Sequence, residues 1–213
     1  LAILVLLVCP RLSSAAIAFV QSTQVNGTGT SSVAFSSNNT AGNTIVVAVR
    51  VGNVTAVPTI TDTNANSYTE DRRETSGTDH RSFVFSAPNV ASGANTVTAT
   101  VSGTPTMRMA IHEYSGLATS SIRDQVTSAT GTGTALDSGN VTTTVADELL
   151  FGFATVDGNA AFSAGTNFTE REEIVTKASS EDRVVSVTGA YSAAMTLDAS
   201  QTWTITIVTY KAV

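Results

Sequence analysis

The sequence predicts an all-β protein, an internally duplicated antiparallel β-sandwich, and three observations predict it. Composition is the first: 42% of the residues are hydrophobic and only 13% charged, with Thr and Ser abundant, Lys scarce, and Val, Ile, Phe and Tyr supplying the apolar matter that suits pleated, half-buried strands. The second is a period of two. In NTIVVAVRV the side chains of Ile45, Val47, Val49 and Val51 share a face, and in MRMAIHEYS Met107, Met109 and Ile111 alternate with Arg108, Ala110 and His112. The third is self-similarity. GTGTSSVAFSSNNTAGNTIVVAVRV from Gly27 reads like GTGTALDSGNVTTTVADELLFGFATV from Gly131, setting Asn43 on Asp147 and Ile45 on Leu149; NSYTEDRRE answers NFTEREE; and Tyr114 falls on Tyr210.

In chain order, residues 1–15 read as a secretory signal whose basic start is missing. An apolar run over residues 1–9, then Pro10 and the small residues Ser13, Ser14 and Ala15, is too short to span a bilayer, which takes about 20 residues. Strands are expected over 18–25, 31–36, 44–51, 57–61, 67–73, 81–87, 94–101 and 107–114, parted by turn clusters such as TNANS and SAPNVASGAN. Seven or eight short strands per hundred residues make a two-sheet sandwich of jelly-roll or immunoglobulin-like type. The plan repeats over 122–210 after the junction YSGLATSSIRD. The expected units are therefore a first sandwich repeat over 16–117 and a second over 118–213, closely packed on the first or merged with it.

Function classes are bounded by charge and cysteine. Cys9 is the only cysteine and leaves with the signal, so a secreted chain holds itself together without disulfides. The formal charge is −6, which removes the basic stripe that nucleic acid or an anionic membrane surface needs. No stable membrane insertion is expected after signal cleavage.

Candidate chemistry is sparse. Asp62, Asn64 and Asn66 stand at alternate positions in TDTNANSYT, a candidate calcium loop because Ca²⁺ takes six to eight oxygen ligands; the same residues also make a turn by bonding their own backbone. No other cofactor is indicated. Glu70, Asp71 and Glu74, then Glu170, Glu172 and Glu173, cluster on matching strands with Arg72, Arg73 and Arg171 interleaved. A glycosidase needs two carboxyls about 5–10 Å apart, but neighbours on a strand face opposite ways, and mixed charge marks an edge. His80 and His112 are the only histidines, too few for zinc, and no G-x-S-x-G motif announces a nucleophile. Trp203 shares the alternating face of Ile205 and Ile207 and reads as core. Tyr68, Tyr114, Tyr191 and Tyr210 are candidates for partial exposure and sugar contact.

The order of signatures, from AFVQ through GNTIVVAV, ITDTNANSYTE, APNVASGANTVTATVSG and EYSGL to ADELLFGFATV, NFTEREE, SSEDRVVSVTGAYSA and WTITIVTYKA, resembles uncharacterised duplicated β-sandwich modules of secreted bacterial multidomain proteins. The resemblance implies an all-β fold and an extracellular or cell-surface setting, and carries no catalytic residue to any position. The expected function is a non-catalytic module, structural, adhesive or carbohydrate-binding, whose partners are polysaccharide or neighbouring extracellular domains. A secreted polysaccharide-active hydrolase and a self-assembling subunit of an extracellular filament or surface assembly are the alternatives.

Overall fold

In the computed structural model, which describes residues 16–77 and 79–213, the first half forms β1 (Ala18–Thr28), β2 (Thr30–Ala34), β3 (Thr44–Val51), β4 (Thr59–Asp62), β5 (Thr69–Ser76), β6 (His80–Ala87), β7 (Thr96–Thr100) and β8 (Thr106–Ser115). The second forms β9 (Arg123–Ala135), β10 (Val141–Thr142), β11 (Glu148–Val156), β12 (Phe162–Ser163), β13 (Thr169–Ile174), β14 (Ala178–Val185), β15 (Ala190–Tyr191) and β16 (Thr196–Lys211). All eight strands expected in the first half are present, and the described residues contain no helix. The expected signal segment, residues 1–15, lies outside the described residues.

Two large antiparallel sheets share one strand order. The first runs β1-β8-β3-β6-β5; in the second β9, β16, β11, β14 and β13 follow in the same sequence, with β12 paired to the first residues of β16. A three-stranded sheet, β2-β7-β4, covers the outer face of the first large sheet, where Val97 and Ile60 pack on Val47, Val49, Met109 and Ile111. The inner face, Val46, Ala48, Ala110 and Tyr114, packs on Leu149, Phe151, Phe153 and Val208 of the second large sheet. Beyond that sheet, Leu150, Ile205, Ile207 and Trp203 meet Val141, Phe162 and Leu197 of a thinner outer layer.

Four layers follow, and they explain the apolar runs. Every residue of β3 and of β11 is buried, because each strand is central in a sheet covered on both faces. Such strands read as continuous Val, Ile, Leu and Phe rather than clean alternation, and each large apolar side chain so buried contributes about 1.5–3 kcal/mol.

Register corrects the expected alignment of the halves. Thr44 pairs with Tyr114 on β8 while Leu149 pairs with Tyr210 on β16. Leu149 therefore answers Thr44, not Ile45, and Phe151 answers Val46. One residue of slip exchanges the two faces of a strand: Ile45 faces the outer core whereas Leu149 faces the inner one.

The charged strands β5 and β13 are edge strands, as their mixed signs predict, but each is covered by the other half. Glu74 on β5 accepts Ser128 Oγ of β9 at 2.5 Å, and Glu172 on β13 accepts Ser22 Oγ of β1 at 2.5 Å.

Candidate functional site

The three loop residues do come together. Asp62 ends β4, and its Oδ1 accepts the Asn64 and Asn66 amides at 3.2 and 2.9 Å. Its Oδ2 accepts Asn66 Nδ2 at 2.7 Å, Tyr68 OH at 2.8 Å and Asn95 Nδ2 at 2.9 Å. Burial alone would raise this carboxyl, but the bonds from Asn95, Asn66 and Tyr68 outweigh it and hold its pKa below the usual value. The loop is thus a turn stitched by one carboxylate. Ala65, at its tip, takes the left-handed φ of 56° that such a turn requires, and a calcium ion at Asp62 would have to displace these donors.

The paired acids of β5 and β13 do not converge. Glu70 holds Arg73 through both oxygens at 2.6 and 2.7 Å, and Glu170 accepts Ser179 Oγ at 2.7 Å. Asp71 sits at a bulge between Glu70 and Arg72 and turns inward to accept Tyr210 OH at 2.7 Å. Tyr114 mirrors Tyr210, donating to Asp182 Oδ2 at 2.7 Å. Both tyrosines are fully buried, which corrects the expectation of partial exposure; Tyr68 and Tyr191 are half-buried. Trp203 lies in the outer core, as expected, with its ring over Gly131, where a Cβ would lie 2.3 Å from the indole.

The histidines line the seam between the large sheets. His112 Nδ1 lies 3.2 Å from Val46 O and Nε2 lies 2.8 Å from Ser180 Oγ. A carbonyl only accepts, so Nδ1 carries the proton and Nε2 accepts the serine hydroxyl. That is the contact of a serine nucleophile with its base, made where both residues are closed to solvent. Burial drives the His112 pKa down to about 3, so the ring is neutral. His80 Nε2 lies 2.6 Å from Thr155 Oγ1, and its Nδ1 lies 3.0 Å from Asp157 and 3.2 Å from Asp79. Burial, then the Arg50 charge, lowers its pKa to about 4. Asp79, His80 and Asp157 place their ligand atoms within 4.8 Å of one another, the donor set of a metal site. The cation already at Asp79 is Arg50, at 2.6 Å, and Ser76 donates to Asp157 at 2.6 Å.

Sequence reasoning missed four buried acids, Asp182 and three glutamates. Glu113 accepts Gln21 Nε2, Asn39 Nδ2, Asn43 Nδ2 and the Thr40 amide, all at 2.6–2.8 Å. It lies on the alternating face of Met109 and Ile111, an acid on an apolar stripe, which was its signal. Glu148 and Glu181 are also inaccessible to solvent. Burial first, with Asp124 near Glu148 and Glu170 near Glu181, lifts each pKa to about 7.

Comparison of the chain with protein-family models, with curated proteins and with solved structures found no match.

Proposed function

We propose that the chain is a non-catalytic extracellular β-sandwich module, a structural, adhesive or carbohydrate-binding unit. The observation that carries this reading is the engagement of the candidate catalytic groups. Glu70 is clamped by Arg73, Asp71 by Tyr210 and Glu170 by Ser179, while the Ser180–His112 pair is sealed in the seam. A general acid or base must reach the proton it transfers, and these side chains reach one another instead. The extracellular setting rests on the signal-like residues 1–15, and the partners are polysaccharide or neighbouring extracellular domains. The test is incubation with a polysaccharide panel, with and without calcium, following reducing ends. No release is expected; release lost on Glu70→Gln or Glu170→Gln would replace this reading with a hydrolase.

A further inference from the structure

The two halves part company at one core position. Across β3–β6 the register sets Val47 opposite Phe85, both in the outer core. At the matching position across β11–β14 it sets Gly152 opposite Glu181. A carboxyl has replaced a phenyl ring, and the glycine makes room for it: a Cβ on Gly152 would lie 2.8 Å from Glu181 Cγ. Burying a carboxyl costs stability unless its bonds compensate; Glu181 Oε2 accepts the Gly165 amide at 2.7 Å, and the backbone of Ala194 adds a second contact, yet burial still holds its pKa up.

Around Glu181, itself closed to solvent, the outer layer is thin. The first half closes its face with the paired strands β2, β7 and β4, whereas the second has only the two-residue strands β10 and β15 and the short β12. Two cavities of about 270 and 350 Å³ adjoin there and share Gly165, Thr166 and Ala194. Gly165 is required where these loops touch, since its Cβ would lie 2.1 Å from Ala194 O. The first cavity is walled by Asn140, Phe168, Arg183 and Tyr191. Tyr191 is fixed by donating its hydroxyl to Val187 O at 2.8 Å, and the Arg183 guanidinium, paired with no carboxylate among the described residues, lies over that ring 5.5 Å from its centroid, where a ligand stacking on the same face would meet both groups.

This set is an aromatic ring beside a planar amide and a planar guanidinium, in an open cavity with a few convergent polar groups. Aromatic rings offer a flat apolar face, and forked N–H donors match pairs of neighbouring oxygens. A pyranose ring presents both complements at once: an apolar C–H face and vicinal hydroxyls. Resting on the reading of the chain as an extracellular module, we propose that the groove between loops 164–168 and 192–196 is a saccharide-binding site, its first loop held by Glu181 through the Gly165 amide and its walls supplied by Asn140, Arg183 and Tyr191.

The experiment is a titration of ¹⁵N-labelled protein with neutral and uronate-containing oligosaccharides, in the parent and in Tyr191→Ala and Asn140→Ala, with reducing ends followed in the same tubes. Saturable shifts at Gly165, Thr166 and Ala194 are expected for at least one oligosaccharide. Each variant, with its remaining spectrum and melting temperature intact, should weaken binding about tenfold, the scale of one lost stacking or forked contact. Shifts clustered elsewhere, undiminished binding by both variants, or no saturable shift with any oligosaccharide would each overturn the site while leaving a non-catalytic module standing. Released reducing ends would instead strike the non-catalytic reading, and binding that still mapped to the groove would keep the site.

Discussion

Tyr114 and Tyr210 hold matching places on β8 and β16, and each donates to an aspartate at 2.7 Å, but the aspartates come from different strands. Tyr210 meets Asp71 at the bulge of β5; the matching bulge residue on β13 is Arg171. Tyr114 meets Asp182 on β14, whose counterpart opposite Thr69 on β6 is Ser86. Arg171 then binds Asp182 through Nε and Nη2 at 2.8 and 2.9 Å and stacks 3.9 Å from the Phe19 ring centroid. At the other end Arg123 stands where Phe19 stands in the first half; its Nη1 donates to the Asp71 backbone carbonyl at 2.8 Å and comes within 3.8 Å of the Asp71 carboxylate. The comparison teaches that the fold fixes the need, an acceptor for a buried hydroxyl, and leaves open which strand supplies it.

The largest effect should come from breaking the clamped side. Asp182→Ala leaves Tyr114 without an acceptor and Arg171 without its forked partner, a loss of about 3–5 kcal/mol. Asp71→Ala strands the hydroxyls of Tyr210 and Ser86 but no charge, because Arg123 keeps its bond to the backbone carbonyl of residue 71 and its side chain is half-exposed, and should cost about 1–3 kcal/mol. Urea unfolding of the two variants measures the difference. Equal losses would mean that the Arg171 pair adds nothing beyond the tyrosine bond.

A second swap predicts opposite signs for one substitution. Glu113 on β8 is answered on β16 by Thr209, and Asn43 before β3 is answered by Glu148. Glu113 sits among four N–H donors, so Glu113→Gln turns an amide NH₂ against them and should cost about 2–3 kcal/mol. Glu148 is buried beside Asp124, with its pKa raised to about 7, so Glu148→Gln removes a strained acid and should leave the urea midpoint unchanged or raise it. A lower midpoint for Glu148→Gln would break the pairing of these sites.

Acidification should set the two kinds of buried group against each other. His112 and His80 titrate near 3 and 4 in the folded chain, below the ordinary 6.5, so the unfolded state takes up their protons first. Stability from them is whole above pH 6.5 and falls as pH drops. Glu148 and Glu181 titrate near 7 when folded, above the ordinary 4.5. The folded state takes up their protons first, and stability rises as pH falls from 7 to 4.5. Each group changes stability by about 1.4 kcal/mol per pH unit at full slope, so the parent profile between pH 6.5 and 4.5 should be shallow. Replacing both glutamates by glutamine should unmask a steep acid loss; a double variant as flat as the parent in pH-dependent melting would contradict the assignment.

How much of this was legible follows from phase. Every first-half strand was readable because turn clusters bounded it and alternation marked the outer strands. The strand order that the two large sheets share gave no register from sequence: TIVVAVRV and ELLFGFATV are buried on both faces, so neither run says which side faces the seam. Only the tyrosines and their backbone partners settle it. The turn at Asp62 was readable from residue type, whereas Glu148 and Glu181 were not. Their neighbours ADELLFGF and SSEDRVV look like ordinary strand borders, and the one hint, Gly152 in mid-strand, marks a close approach without naming the visitor.

The smallest effect sharpens the opening comparison most, since it should reverse the order of the largest. Removing a buried hydroxyl costs about 0.5–1.5 kcal/mol, and the loss depends on what remains for the carboxylate left behind. After Tyr114→Phe, Asp182 keeps both bonds from Arg171, so the cost should lie near the low end. After Tyr210→Phe, Asp71 is left with its contact to Ser86 and the distant Arg123 charge, and burial already holds its pKa up, so the cost should lie near the high end. Unfolding of both variants should therefore rank the tyrosines opposite to the aspartates: 210 above 114, but 182 above 71. If the tyrosines rank as the aspartates do, the seam is held by apolar packing around the rings, and the difference between its two ends lies outside these hydrogen bonds.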